Sequence, residues 1–434
     1  MNRELLKLAI LNILSNLTIP LVSLVDVGLM GHLANSSHIV AIGFGVMIFN
    51  FVYWSFGFLR MGTTGVISQA FGSEDTKGIV TTLQQSLFIA LIGASLLLFS
   101  QHYLYAFAEY LISAESSVNR SMSLYFEIRI WAAPATIVTY VFTGWFLGMQ
   151  NSKAVLYLTL VVNLANAFFS YLFVVVFNYG NQGVATGTLI AQYLGLVFCI
   201  VYLRLNYRKI ALLLFKFSSD LFGGFKSLML LNGNIFIRTF VLITVLSFFK
   251  TQAGNISIEI GAANILLLEF VTISAYGIDG FAFAAESISG KYFGKGNRAL
   301  FLKSIRVSFL WGLMSALVFS IAFILFGKNI LGILTDKQMI IDLAIDYLPW
   351  LIIAPLVNSI AFVWDGIYIG ATASKLMRNS MIFSGLIFFV LFYFLDGSFG
   401  NHGIWLSLTL FMLCRGIIQT ILFKTSLLKS LALQ

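Results

Sequence analysis

The sequence predicts an all-α polytopic membrane protein, with twelve transmembrane helices in two six-helix halves that form a parallel repeat. Three observations predict it: the composition, a succession of long apolar runs, and residue patterns that recur at a near-constant offset. Of 434 residues, 59% are apolar and 10% are charged, against roughly 25% charged in an average soluble domain. The mean hydropathy is +0.94. About 256 apolar side chains, at about 20 per span, allow about thirteen spans. A water-soluble enzyme is excluded, because such a chain could not cover its surface with polar groups. A single-span receptor is excluded because no long polar stretch remains for an outer domain. Two Cys residues do not make a disulfide scaffold.

Every backbone group in lipid must be satisfied internally, which makes helices the default. The apolar runs also exceed the roughly ten-residue alternating strands of an outer-membrane barrel. The first six spans are read at 8–30, 39–70, 79–101, 119–147, 153–177 and 182–203. The second six are read at 226–250, 258–290, 301–326, 339–370, 376–396 and 401–423. Several exceed one bilayer thickness, so tilts or breaks are expected. Arg3 and Lys7 precede a long apolar run without a small-residue cleavage site, which reads as a retained first helix and not a signal peptide.

An even number of spans puts both termini on one side. Of the 26 Lys and Arg, 18 fall in the termini and loops of that side. The opposite loops hold Arg120, Lys250, Lys328 and Lys337. Arg60, Arg129, Arg238 and Arg415 lie inside spans. The positive-inside rule then places both termini in the cytoplasm. The net charge of +9 describes topology, with no nucleic-acid partner. All four His lie near outer loops, which argues against a His metal cage in the membrane. Cys199 and Cys414 read as packing thiols.

The polar segment 204–225 divides the chain into an N-terminal bundle, 1–203, and a C-terminal bundle, 226–434. GMQNSK at 148–153 matches GATASK at 370–375 at an offset of 222, as do Gly144 with Gly366, Phe71 with Phe293 and Gly72 with Gly294. NQG at 181–183 matches NHG at 401–403 at an offset of 220. Six spans per half give both halves one orientation. In folds built this way the substrate site lies at the repeat interface near the midplane.

A charge at a helix centre costs roughly 2.5–3.5 kcal/mol on the lenient insertion scale, so polar residues within spans are the functional candidates. Span one carries Asn12, Asn16, Ser23 and Asp26 within about an 80° arc, with Pro20 expected to bend it. The bland reading of Asp26 is a structural acid paired with an amide, or one exposed at the outer rim. Span five carries Thr159, Asn163, Asn166 and Ser170 on a narrow stripe with no acid. Interhelical hydrogen bonds of roughly 0.6 kcal/mol explain that stripe as well as function does. Span eight is the most polar, with Glu269, Thr272, Tyr276, Asp279 and Glu286 on one face. These acids could line a cavity, bind cations, or pair with Arg238, Arg415 or Lys291. Span ten carries Asn358, Asp365 and Thr372 at steps of seven. Glu127 and Arg129 read as structural, through pairing or snorkelling. Arg60 and Arg238 are grouped with them.

No Walker A loop, HExxH or GxSxG elbow occurs. The chain does not read as an enzyme or an ATP-driven pump, and needs no cofactor. Two unlike halves with asymmetric acids fit alternating access better than a symmetric channel filter.

DVGLMGHL at 26–33, FLRMGTTGVISQAFG at 58–72, FEIRIWAAPA at 126–135 and VVNLANAFFSYLFV at 161–174 resemble the MATE (multidrug and toxic compound extrusion) family. IDGFAFAAESISGKYFGKGN at 278–297 and DGIYIGATASKLMRNSM at 365–381 resemble its DinF-type branch. The resemblance runs in order from about residue 10 to about 420. It implies a V-shaped transporter of two six-helix bundles in the bacterial cytoplasmic (inner) membrane. That transporter would export drugs or toxic organic compounds in exchange for H+ or Na+. In such proteins an acid of the first helix is the central coupling residue, and Asp26 stands at that position. The fifth helix commonly reads N-x-x-N-x-x-x-D; here Asn163 and Asn166 are followed by Ser170 where an Asp is common. That departure favours H+ over Na+, since hard cations want charged oxygen ligands. A Na+ site would be built from Asp26, Asn163, Asn166 and Ser170. Other branches carry an acid in the seventh helix, where this chain has Arg238, so an ion site in the second half would rest on Asp365, joined by Asp279 or Glu286. Glu269, Tyr276, Asp279, Glu286 and Asn358 are the candidate substrate-cavity residues. The partners implied are small molecules and the lipid bilayer, for a monomer. The alternative is a lipid-linked precursor flippase of the same superfamily. Few arginines and many acids in the spans disfavour the basic phosphate cavity which that activity wants.

Overall fold

The structure, a computed structural model, describes residues 1–31, 36–112, 115–214 and 222–430; the side chains of 19–31, 36–39, 396–398 and 430 lie outside that description. Helix α1 spans Asn2–Gly31. Eleven further helices among the described residues are long and apolar enough to cross a bilayer. They are α2 (Val40–Gly72), α3 (Thr76–Phe99), α4 (Ser116–Gly148), α5 (Ser152–Val176), α6 (Gly180–Asn206), α7 (Phe225–Ile256), α8 (Ile258–Gly294), α9 (Arg298–Leu334), α10 (Leu348–Gly370), α11 (Ser374–Leu395) and α12 (Phe399–Leu427).

Several helices are interrupted, as their length predicts. A turn at Phe56 interrupts α2. A 3-10 stretch at Ile130–Ala132 interrupts α4 just before Pro134, a residue with no amide hydrogen to offer the preceding turn. The span read as 339–370 is two helices. Gln338–Asp346 ends at Tyr347, and α10 restarts with Pro349 in its first turn, where the missing donor costs nothing. The outer loop expected after the third span contains a further helix, Gln101–Ile112. Its Tyr103, Phe107 and Tyr110 are exposed, the amphipathic pattern of a helix lying at an interface. The linker also contains a short helix, Arg208–Leu214.

The described chain forms two compact units, Leu14–Leu228 and Met1–Ile13 with Met229–Gln434. The boundary falls near residue 228, and the first thirteen residues group with the second of these units. The reason is packing. Leu5, Leu8 and Ala9 form one cluster with Phe281, Ala284 and Ile288 of α8. A side chain at Gly280 would meet Ile13 N at 2.9 Å and Ala9 O at 3.0 Å. Lys291 Nζ donates to Glu4 Oε1 at 2.8 Å, and the Tyr292 hydroxyl donates to Glu4 Oε2 at 3.3 Å.

Each unit repeats the other's backbone plan. Glu74 and Gly296 both have positive φ, 60° and 67°, and so do Gln150 and Thr372, 58° and 52°. Both pairs are 222 residues apart. Asp75 caps Gly78 N at 2.9 Å, and Asn297 caps Leu300 N at 2.9 Å. Gly144 lies against the Arg60 carbonyl and Gly366 against that of Ala282, so close that neither could carry a side chain. In the last helix of each half the offset is 220: Gly183 abuts Phe173, and Gly403 abuts Leu395.

Candidate functional site

In the unit Leu14–Leu228, the fifth-helix stripe turns inward. Asn163, Asn166 and Ser170 follow steps of three and four, which puts them on one helical face. Asn163 Nδ2 donates to Thr18 Oγ1 of α1 at 2.7 Å, and Thr18 Oγ1 in turn donates to Ser15 O at 2.7 Å. Asn166 Nδ2 donates to Thr188 Oγ1 of α6 at 2.8 Å, and that hydroxyl donates to Val184 O at 2.9 Å. Gly187 of α6 admits α5 so closely that a side chain there would meet Ser170 N at 2.6 Å and Ser170 Oγ at 2.7 Å. Asn166 is 4% exposed and Ser170 fully buried. Asn166 Oδ1 and Ser170 Oγ nevertheless have no hydrogen-bond partner among the described residues. Buried polar atoms without partners are few in native proteins and each wants an explanation. Two of them lie on one face of one helix, and each oxygen keeps the capacity to accept a hydrogen bond. The side chains of Asp26 and Pro20, both on α1, lie outside the described residues.

The second unit concentrates its charge. Asp365 of α10 is buried, and its Oδ2 accepts from both Arg238 Nη2 of α7 and Arg415 Nη2 of α12. Its Oδ1 accepts from Gln419 Nε2, one turn beyond Arg415, at 2.7 Å. Arg415 is fully buried. Met412 Sδ lies 3.7 Å from its Nη1, and Asp279 of α8 acts on it electrostatically. Of the pairings that sequence reasoning offered for Arg238, Arg415 and Lys291, the structure gives both arginines to Asp365 and the lysine to Glu4. Gln419 went unnoticed, although its i+4 spacing from Arg415 was a usable signal.

The expected cavity residues separate. Glu286 and Asn358 are buried. Tyr276 and Asp279 are half-buried, and Glu269 is exposed. Tyr276 stays within electrostatic reach of Asp279 and Glu269. In the other unit, Glu127 and Arg129 do not pair with each other. Glu127 accepts from Ser123 Oγ at 2.8 Å, and the Arg129 guanidinium lies 5.7 Å from the centre of the Phe49 ring. Arg60 is half-buried on α2.

Residues 12–172 and 233–394 each match the MatE family. The chain is 32% identical over 418 residues to DNA damage-inducible protein F of Escherichia coli, covering 96% of this chain and 90% of that one. It is 26% identical over 387 residues to human multidrug and toxin extrusion protein 1, covering 86% and 65%. Among solved structures, an outward-facing multidrug resistance transporter of the MATE family superposes with a TM-score of 0.89 at 15% identity, covering 100% of this chain and 97% of that one.

Proposed function

The chain belongs to the MatE family, and on that premise we propose a secondary active antiporter that exports hydrophobic, often cationic, organic compounds in exchange for protons. Transport proceeds by alternating access, and the proton rides on Asp26. The observation that carries this reading is the Asn163–Thr18 hydrogen bond, with two buried oxygens left over beside it at Asn166 and Ser170. The bond ties the amide stripe of α5 to the helix that bears Asp26. As the first and fifth spans of an alternating series, α1 and α5 run in the same direction. Asp26 stands eight residues beyond Thr18, and Ser170 seven beyond Asn163, so both climb about 10–12 Å. The two residues then share a level, which supports a coupling site of Asp26, Asn163, Asn166 and Ser170.

The proton on Asp26 sets the charge of the coupling site. Loading from outside neutralises it and weakens its hold on a cationic compound; release to the cytoplasm resets it. Each charge moved is worth about 2.3 kcal/mol per 100 mV. At about 1.4 kcal/mol per tenfold, one proton sustains a roughly fifty-fold gradient of a neutral compound. With a single carboxylate, the site favours H+ over Na+. Glu269, Tyr276, Asp279, Glu286 and Asn358 belong to the substrate path in this reading. The protein works as a monomer in the bacterial cytoplasmic membrane, with both termini cytoplasmic.

The test is efflux from proteoliposomes with H+ and Na+ gradients imposed separately. Wild-type protein concentrates the compound against its gradient when only H+ is supplied, and Asp26→Asn does not. Uphill transport by Asp26→Asn at the wild-type level sinks the reading.

A further inference from the structure

Asp365, the acid on which an ion site of the second half would rest, already has cationic partners. A cation binds a carboxylate through its lone pairs. At Asp365 those face Arg238 Nη2, Arg415 Nη2 and Gln419 Nε2. Any incoming cation would also approach two guanidinium groups that stay protonated in proteins. Among the described residues, the charged groups around this pair of arginines and their carboxylate come from three other helices: Arg238 from α7, Asp279 from α8 and Arg415 from α12. Two acids and two arginines balance. Asp365 is 6% exposed, Arg238 7% and Arg415 0%, so solvent does not screen them.

The repeat sharpens the point. The positions equivalent to Arg238 and Asp365 at an offset of 222, and to Arg415 at 220, are Asn16, Thr143 and Gly195. The charged trio is wholly present in one half and wholly absent from the other, as expected of residues that act together.

We propose that Arg238 and Arg415 are built-in cations that stand at Asp365 in the place of a coupling ion, so that the second half takes none and the ion-to-substrate ratio is set by the first half alone. Gln419 is a positioning residue that holds the remaining carboxylate oxygen. Because guanidinium does not leave as a proton or Na+ does, the trio at Asp365 carries the same charge through the whole cycle. Only the statement about the ratio rests on the antiport reading; the occupancy of Asp365 stands apart from it.

The test compares three chains: wild type, the double variant Arg238→Gln/Arg415→Gln, and the triple variant that adds Asp365→Asn. The triple variant replaces every charge of the trio by an amide, and half-buried Asp279 is the same in both variants. Thermal midpoints are read in NaCl against choline chloride at equal ionic strength over a range of pH. Ions exchanged per substrate are counted in proteoliposomes. Wild type and triple variant show the same Na+ and pH response and the same ratio. The double variant, with an open carboxylate, gains a Na+- or proton-dependent rise of a few degrees. A cation response or a coupled ion present in wild type and lost in the triple variant overturns the proposal. So does a double variant no more responsive than the triple. If the double variant does not fold, wild type against triple decides. Failure of the antiport reading looks different: wild type then shows no ion-driven transport, while the thermal comparison still reports on Asp365.

Discussion

Where the second half carries Arg238, Asp365 and Arg415, the first carries Asn16, Thr143 and Gly195. Yet around these positions the two backbones turn at equivalent residues, cap their helices with equivalent side chains and cross at equivalent glycines. A repeat can therefore keep its frame while its polar interior diverges. The frame depends on a few positions where only one geometry is possible, such as a helix crossing that excludes a side chain. The polar interior depends on which groups satisfy one another, and two solutions fit the same frame. The first half leaves the oxygens of Asn166 and Ser170 open. The second half gives its carboxylate three donors, two of them charged.

The largest test of that difference is removal of a charged partner. Arg415→Met leaves Asp365 under-compensated in a dry interior and should lower stability by about 3–5 kcal/mol, read as a fall in the thermal midpoint in detergent. Asn166→Leu in the first half removes one neutral hydrogen bond and should cost about 1 kcal/mol. Equal losses would erase the contrast. Next come the crossings. Gly144→Ala and Gly366→Ala each drive a methyl group into a neighbouring carbonyl and should cost about 1–3 kcal/mol, by similar amounts; a large inequality in the same melts would show that the two frames are not equivalent. Ser170→Asp restores a carboxylate to the open site and should tighten Na+ dependence about tenfold, or about 1.4 kcal/mol; Na+-driven efflux that does not change would remove Ser170 from the site. Smallest are the caps: Asp75→Ala and Asn297→Ala should each cost about 1 kcal/mol, and hydrogen exchange at Gly78 and Leu300 should rise together.

Much of the frame was legible in the chain. The spans follow from runs of apolar residues, and α10 departs from its reading because Pro349 starts a new helix, a local signal weighed too lightly. The repeat at 222 was visible in GMQNSK and GATASK before any coordinate. The stripe Asn163, Asn166 and Ser170 was readable as one face, since helical spacing fixes which side chains share a side. Its partners were not, because Thr18 and Thr188 are 145 and 22 residues away in the chain and nothing local encodes that meeting. The partners of Asp365 were hidden for the same reason. Asp365 reads as an ion ligand when its only known neighbours are those along its own helix.

Composition and periodicity by themselves determined that this chain fills a membrane with helices and does so twice over, because burying a backbone in lipid leaves no other solution. Only the tertiary structure decided what each acid and amide does there. The charge state and openness of a buried group depend on the nearest donors in space, and in this protein those donors come from other helices: Arg238 and Arg415 for Asp365, Thr18 and Thr188 for the amides of α5.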